Sequence, residues 1–350
     1  MLLPPDAVSP STFDQVIRAE FGVRSYFIRV ALAVLSIFLL YHFGLLRFGE
    51  LAGLYNHPQR LILATLLLLA TIPLGAYRWH ILLQCQGFRL AFAKTLQVVL
   101  VGQFFNTFLP GAYGGDIVRA GYIYHGARQQ AGRLVLSIFV DRLCGMCGLV
   151  ALAMVAQLAL TPGVTLWATL ALLALMIVGM LGIRLLPPIV RLIATGVKRV
   201  AAGLAGRLLA LAGQLEASID IYVSRKEVVG AALLLSVAQF AFALAAFVAI
   251  SGAFDFVTVS DATIVQAGVI SLVANSVPLT PGGIGIGEAA FANAVFLIAP
   301  QATGPYAVIF LACRALTLML SLLGGLVFLV YRSEVIQYAE DARSNTASNV

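Results

Sequence analysis

The sequence predicts an all-α polytopic membrane protein, with about six full spans and two re-entrant helical hairpins arranged as an inverted-topology repeat. Three observations lead there. Hydrophobic residues fill 61% of the 350 positions and charged residues only 11%, and the mean hydropathy is +0.98, well outside the range of soluble domains. Several apolar runs reach the roughly 20 residues that a helix needs to cross a bilayer. Two Pro-Gly-rich breaks, at residues 106–116 and 275–288, interrupt those runs, and each is opened by Asn and closed by a carboxylate.

The elements follow in order. Residues 1–25 carry Asp6, Asp14, Arg18, Glu20 and Arg24 with no small-residue cleavage pattern, so they read as a cytoplasmic lead-in and not as a signal peptide. The first repeat occupies residues 26–160. It opens with a span over about 26–46 and a second over about 61–83, where Pro73 removes a backbone hydrogen bond and predicts a kink. Arg78, Trp79 and His80 then read as an anchor at the headgroup level. A re-entrant hairpin follows around 93–125. A span over about 134–160, carrying Asp141 and Arg142, closes the repeat.

The second repeat occupies residues 165–331. Its first span covers about 165–185. Residues 187–226 then interleave Arg191, Lys198, Arg199, Arg207, Arg225 and Lys226 with apolar side chains. That stretch is either an amphipathic helix lying on anionic headgroups or a plain positive loop. A span over about 228–250, a re-entrant hairpin around 262–299 and a span over about 306–330 complete the repeat. Residues 332–350 form a polar cytoplasmic tail.

Charge placement gives the orientation. Arg18 and Arg24, Arg89 and Lys94, Arg119, Arg128 and Arg133, the 187–226 stretch, and Arg332 and Arg343 mark one side of the membrane. The connections at 161–164, 251–261 and 299–305 hold no Lys or Arg, and only Arg47 and Arg60 run against the pattern. The positive-inside rule then places both termini in the cytoplasm. Each broken segment must enter and return on its own side, one from the cytoplasm and one from outside. Backbone of that kind is tolerated only inside protein or along a wet cavity. The net charge of +7 is accordingly a topology signal. Nucleic-acid binding is excluded as a function class, because no aromatic-interleaved basic patch is present.

The chemistry gathers at the breaks. Arg142 follows Asp116, and Arg314 follows Glu288, at one common separation of 26 residues. A charge at a helix centre costs about 2.5–3.5 kcal/mol on insertion scales, so Asp116, Asp141, Arg142, Glu288 and Arg314 should pair or face water. The spacing predicts the pairs Asp116–Arg142 and Glu288–Arg314, with the crossed pairing Asp116–Arg314 and Glu288–Arg142 as the alternative. These pairs either lock the hairpins or present arginine forks to a lipid phosphate. The returning helices begin near Gly115 and Gly287. Gly114 and Gly115 at one tip, and Gly282 and Gly283 at the other, free backbone N–H groups whose dipoles favour an anion, or they only permit a tight turn. Asn106 and Asn275 can satisfy freed backbone groups or touch substrate. Cys85, Cys144, Cys147 and Cys313 read as small core residues. His42, His57, His80 and His125 are dispersed near span ends, and neither a metal nor another cofactor is expected. No nucleotide-loop, zinc-protease or nucleophile-elbow motif occurs.

The run from Gly102 to Pro110, with Gly114-Gly115-Asp116 and Asp141-Arg142-Leu143, is joined by Pro281-Gly282-Gly283-Ile284-Gly285 and Glu288. With these motifs the chain resembles the lysylphosphatidylglycerol synthase transmembrane-domain family, which includes the membrane half of the multiple peptide resistance factor. The resemblance covers roughly residues 25–332. It implies a flippase-like domain of a bacterial inner membrane that moves aminoacylated phospholipid between leaflets. Stand-alone members are associated with polyprenyl-linked sugar, hopanoid or other envelope-lipid pathways. Synthases of the family carry a large soluble aminoacyl-transferase domain after the membrane region. Here only a short polar tail follows the last span, so synthase activity is not expected.

Three functions compete at this point. The first is a lipid translocase that moves a phospholipid, an aminoacyl-phospholipid or a polyprenyl-linked glycolipid. The second is a non-transporting partner that recruits an envelope-lipid or glycosyltransferase enzyme through residues 187–226. The third is a membrane enzyme using Asp116 or Glu288 as a base. The translocase leads, and the enzyme is disfavoured because no histidine or metal-type cluster accompanies the carboxylates. The partners expected are a lipid with an anionic headgroup, an envelope-lipid biosynthetic enzyme and a second copy of the chain.

Overall fold

In a computed structural model, residues 38, 42, 48–108, 114–124, 131–160, 166–197, 202–276 and 284–347 are described. The expected first span lies almost wholly outside the described residues, as do the lead-in and both hairpin tips, with Gly282 and Gly283 in the second. Among the described residues a 3-10 helix, Phe48–Asn56, leads into ten α-helices. They are α1 (Pro58–Cys85), α2 (Phe92–Phe108), α3 (Gly114–Tyr124), α4 (Ala131–Leu160), α5 (Leu166–Val197), α6 (Ala202–Ser224), α7 (Lys226–Ser251), α8 (Asp261–Asn275), α9 (Ile286–Ile298) and α10 (Ala307–Ala347). No strand occurs among the described residues.

Among the described residues four stretches are long and apolar enough to cross a membrane, namely Pro58–Cys85, Gly132–Ala156, Lys226–Ser251 and Ala307–Val330. They correspond to α1, α4, α7 and most of α10. The first starts on Pro58, where the missing N–H of proline costs nothing, and it runs on through Pro73. The helix pairs α2–α3 and α8–α9 flank the two breaks. The N-terminus of α8 is capped by Ser260, whose hydroxyl accepts from the Thr263 N–H at 3.3 Å.

The basic stretch at 187–226 is not one helix. The span expected at 165–185 continues through Pro187 and Pro188 to Val197 as α5, and α6 then folds back against it. Arg191 of α5 forms an ion pair with Glu216 of α6, which joins the two.

Packing ties early helices to late ones. α1 lies along α7 in the most extensive helix contact of the fold, and α4 also packs on α7. α2 packs on α10, and α8 packs on α4. The largest core cluster fills the space among α1, α4 and α7–α10, with Leu68, Phe247, Ile250, Ile264, Phe291, Val295, Tyr306 and Phe310 buried. Phe247 stacks on Phe291 with ring centroids 5.5 Å apart, an offset arrangement that aromatic pairs favour. Between α2 and α10 the backbones nearly touch: a methyl group placed on Gly324 would lie 2.0 Å from the Leu100 carbonyl oxygen. Small residues permit this closeness in membrane helices.

Candidate functional site

The predicted pairs form. Arg142 donates to Asp116 in a side-on, bidentate pairing, Nε to Oδ2 at 2.9 Å and Nη2 to Oδ1 at 2.8 Å. Arg314 donates through Nε to Glu288 Oε1 at 2.6 Å and through Nη2 to Oε2 at 3.3 Å. The crossed pairing is not adopted. Both acids stand on the first turn of a returning helix, where the helix dipole favours negative charge. Both arginines stand on a long helix, α4 or α10.

Around this common plan the two sites differ. The Asp116 carboxylate is one link in a longer chain. Arg119, a turn further along α3, reaches Asp116 Oδ1 and Asp141 Oδ2, each at 3.4 Å. Arg78 of α1 donates through Nε to Asp141 Oδ1 at 2.8 Å. Its Nη1 donates to Ser236 Oγ at 3.0 Å and Gln239 Oε1 at 2.9 Å on α7. The Arg119 guanidinium also lies 3.9 Å from the Trp79 ring centroid, a cation–π contact. Among the described residues three guanidiniums therefore meet two carboxylates, a surplus of positive charge in that set. Arg142 carries it outward: its side chain is 46% exposed, against 7% for Arg119 and 10% for Arg78.

The second site is closed. Glu288 is fully buried and the Arg314 side chain is only 12% exposed. Glu288 Oε2 also accepts from the Gly285 N–H at 2.9 Å, and Gly285 takes φ 86°, a conformation that favours glycine. Arg314 Nη2 further donates to Asn275 Oδ1 at 2.9 Å. One acid and one arginine balance here.

The two asparagines diverge in the same way. Asn106 Oδ1 accepts from the Gly115 N–H at 2.8 Å, so it satisfies a freed backbone donor as expected. Asn275 holds the arginine instead. Gly115 sits so close to α2 that a methyl group there would lie 1.9 Å from the Gly102 carbonyl oxygen. Gly114, its neighbour, is buried at the start of α3.

Two readings of the sequence are corrected. Arg78, Trp79 and His80 are not a headgroup anchor. All three are buried, with Trp79 Nε1 donating to Ser137 Oγ at 3.3 Å and the His80 ring 3.1 Å from Thr95 Oγ1. Arg119, read as a topology charge, is likewise buried in the cluster. The available signal was Asp141, an intramembrane acid for which the spacing argument supplied no cation. Cys144, Cys147 and Cys313 are buried free thiols, as core residues should be. No group of metal-ligating side chains occurs among the described residues.

The family model described as the lysylphosphatidylglycerol synthase TM region matches residues 26–325. The chain belongs to that family. A comparison with curated proteins finds no match. Membership in the lysylphosphatidylglycerol synthase TM region family assigns the chain to the membrane and associates it with lipid handling. All the residues of both arginine–carboxylate sites fall within the matched segment.

Proposed function

We propose that this family member is a lipid translocase of a bacterial inner membrane, with both termini cytoplasmic and no catalytic step of its own. In this reading α2–α3 and α8–α9 are re-entrant hairpins of two repeats with opposite orientation, meeting near the midplane as in secondary transporters. The reciprocal packing of α2 on α10 and α8 on α4 supports that arrangement. The headgroup passes the exposed Arg142 fork between leaflets, while the acyl chains stay in the bilayer. Rocking of one repeat against the other gives alternating access.

One observation carries the proposal. Arg142 is held along one edge by Asp116, through Nε and Nη2, yet its side chain remains nearly half exposed, and its cluster has a guanidinium in excess among the described residues. A planar fork fixed in orientation and carrying surplus charge suits a phosphate passing through. Asp116 and Glu288 are each held by arginine, so neither is assigned as a base.

The test is exchange of a headgroup-labelled lipid between leaflets of vesicles containing the purified protein. Exchange faster than in empty vesicles, lost in Arg142→Ala at unchanged protein level, is the expected result. Exchange equal to that of empty vesicles across several anionic and polyprenyl-linked lipids, with and without a proton gradient, sinks the proposal.

A further inference from the structure

A cavity of about 500 Å³ opens among α4, α5, α6 and α7, inside the roughly 300–1,000 Å³ range of sites that bury small ligands. Two helices supply its length. On α4 it is lined by Val140, Leu143, Cys144 and Cys147, and on α7 by Lys226, Val229, Gly230 and Leu233. Each set follows the spacing that places residues on a single helix face, so the cavity is a groove running along both helices for about 10 Å.

The lining is almost wholly apolar, with two exceptions. Arg184 of α5 and Lys226 at the start of α7 both border the groove, and both are exposed. No carboxylate lines it. Arg191, about two turns further along α5, is joined to Glu216, whereas Arg184 and Lys226 enter no ion pair among the described residues. The groove reaches the surface, where Val223 is 43% exposed. An apolar slot of this size left empty forfeits packing contacts along its walls. Basic pockets between membrane helices hold anionic lipid headgroups.

We infer that this groove binds one anionic phospholipid, with its phosphate between Arg184 and Lys226 and an acyl chain lying along the stripes of α4 and α7. The site is separate from the Arg142 and Arg314 clusters and does not depend on the chain translocating lipid.

Native mass spectrometry of the full chain, titrated with phosphatidylglycerol or phosphatidylcholine, tests it. The wild type retains one phosphatidylglycerol in preference to phosphatidylcholine. The double variant Arg184→Gln with Lys226→Gln weakens that retention about thirtyfold, given roughly 1 kcal/mol for each of the two cations near an anionic headgroup. Gly230→Leu provides the independent check. A Cβ at Gly230 meets no heavy atom within 4 Å, so leucine fills the groove without disturbing the fold and displaces the lipid while both cations remain. Arg142→Ala retains the lipid. Undiminished retention in the double variant or in Gly230→Leu overturns the assignment. So does equal retention of the two lipids, or loss of the lipid in Arg142→Ala alone, which would place it at the hairpins.

Discussion

The Arg78 guanidinium donates to Asp141 at 2.8 Å, across 63 residues of sequence, and the same side chain reaches Ser236 and Gln239 on α7. One arginine thereby joins α1 and α4 of the first half to α7 of the second. Without it, Asp141 keeps only the 3.4 Å contact from Arg119. Breaking a buried pair from one side typically costs about 3–5 kcal/mol, whereas replacing both partners with apolar groups is often neutral. Arg78→Ala should therefore lower the thermal midpoint in detergent sharply, and Arg78→Met combined with Asp141→Leu should recover much of the loss. A double variant as unstable as the sum of its singles would show that the pair is not the unit of stability.

The exposure difference between the two matched arginines separates fold from function. Arg314→Ala leaves Glu288, which is fully buried, without its cation. A loss of about 3–5 kcal/mol in stability is expected. Arg142→Ala leaves the buried Asp116 with Arg119 as a remaining cation, and the arginine removed is itself nearly half exposed, so the loss should be smaller, nearer the roughly 1 kcal/mol of a surface pair. Fluorescence-detected gel filtration after heating ranks the two. Arg142→Ala should run close to wild type and Arg314→Ala well below it. Equal melting would remove the basis for assigning the lipid-facing role to Arg142 alone.

The sequence made half of this site legible. Equal spacing in two similar breaks was enough to pair Asp116 with Arg142 and Glu288 with Arg314, because two copies of one pattern constrain each other. Arg78 and Arg119 escaped for a physical reason. A cation next to tryptophan or tyrosine near a span end has the same local signature whether it snorkels to headgroups or turns inward. Only the position of Asp141, fixed by the packing of α4 against α1, distinguishes the two. The exposure of Arg142 and the closure around Arg314 were likewise invisible, since the motifs are alike and the neighbours that cover them come from other helices.

Close backbone approach makes another prediction. At Gly115 a methyl group would lie 1.9 Å from the Gly102 carbonyl oxygen, and at Gly324 it would lie 2.0 Å from that of Leu100. These neighbours are backbone and cannot turn aside. Gly115→Ala must push α3 away from α2, and Gly324→Ala must push α10 away from α2. Either should reduce the folded fraction severely. Gly182→Ala and Gly203→Ala meet no heavy atom within 4 Å, and each should gain about 0.5–1 kcal/mol from alanine's helix preference. Monodisperse yield after extraction distinguishes the two classes.

The asparagines give the sharpest test of the charge asymmetry. Asn106 Oδ1 accepts from the Gly115 N–H, and Asn275 Oδ1 accepts from Arg314. Aspartate preserves either acceptor while adding a negative charge. At position 106 that charge falls beside the N-terminus of α3, whose dipole favours it, and next to a cluster with a guanidinium in excess. At position 275 it falls, half-buried, beside an arginine already matched by Glu288, with no further cation among the described partners, so the added charge is only partly compensated. Asn106→Asp should melt close to wild type and Asn275→Asp several degrees lower. Alanine should reverse the emphasis at position 106, where loss of the cap costs about 1 kcal/mol. The opposite order of the two aspartate variants would mean that the positive charge resides at Arg314, and the phosphate-facing role would move to the second hairpin with it.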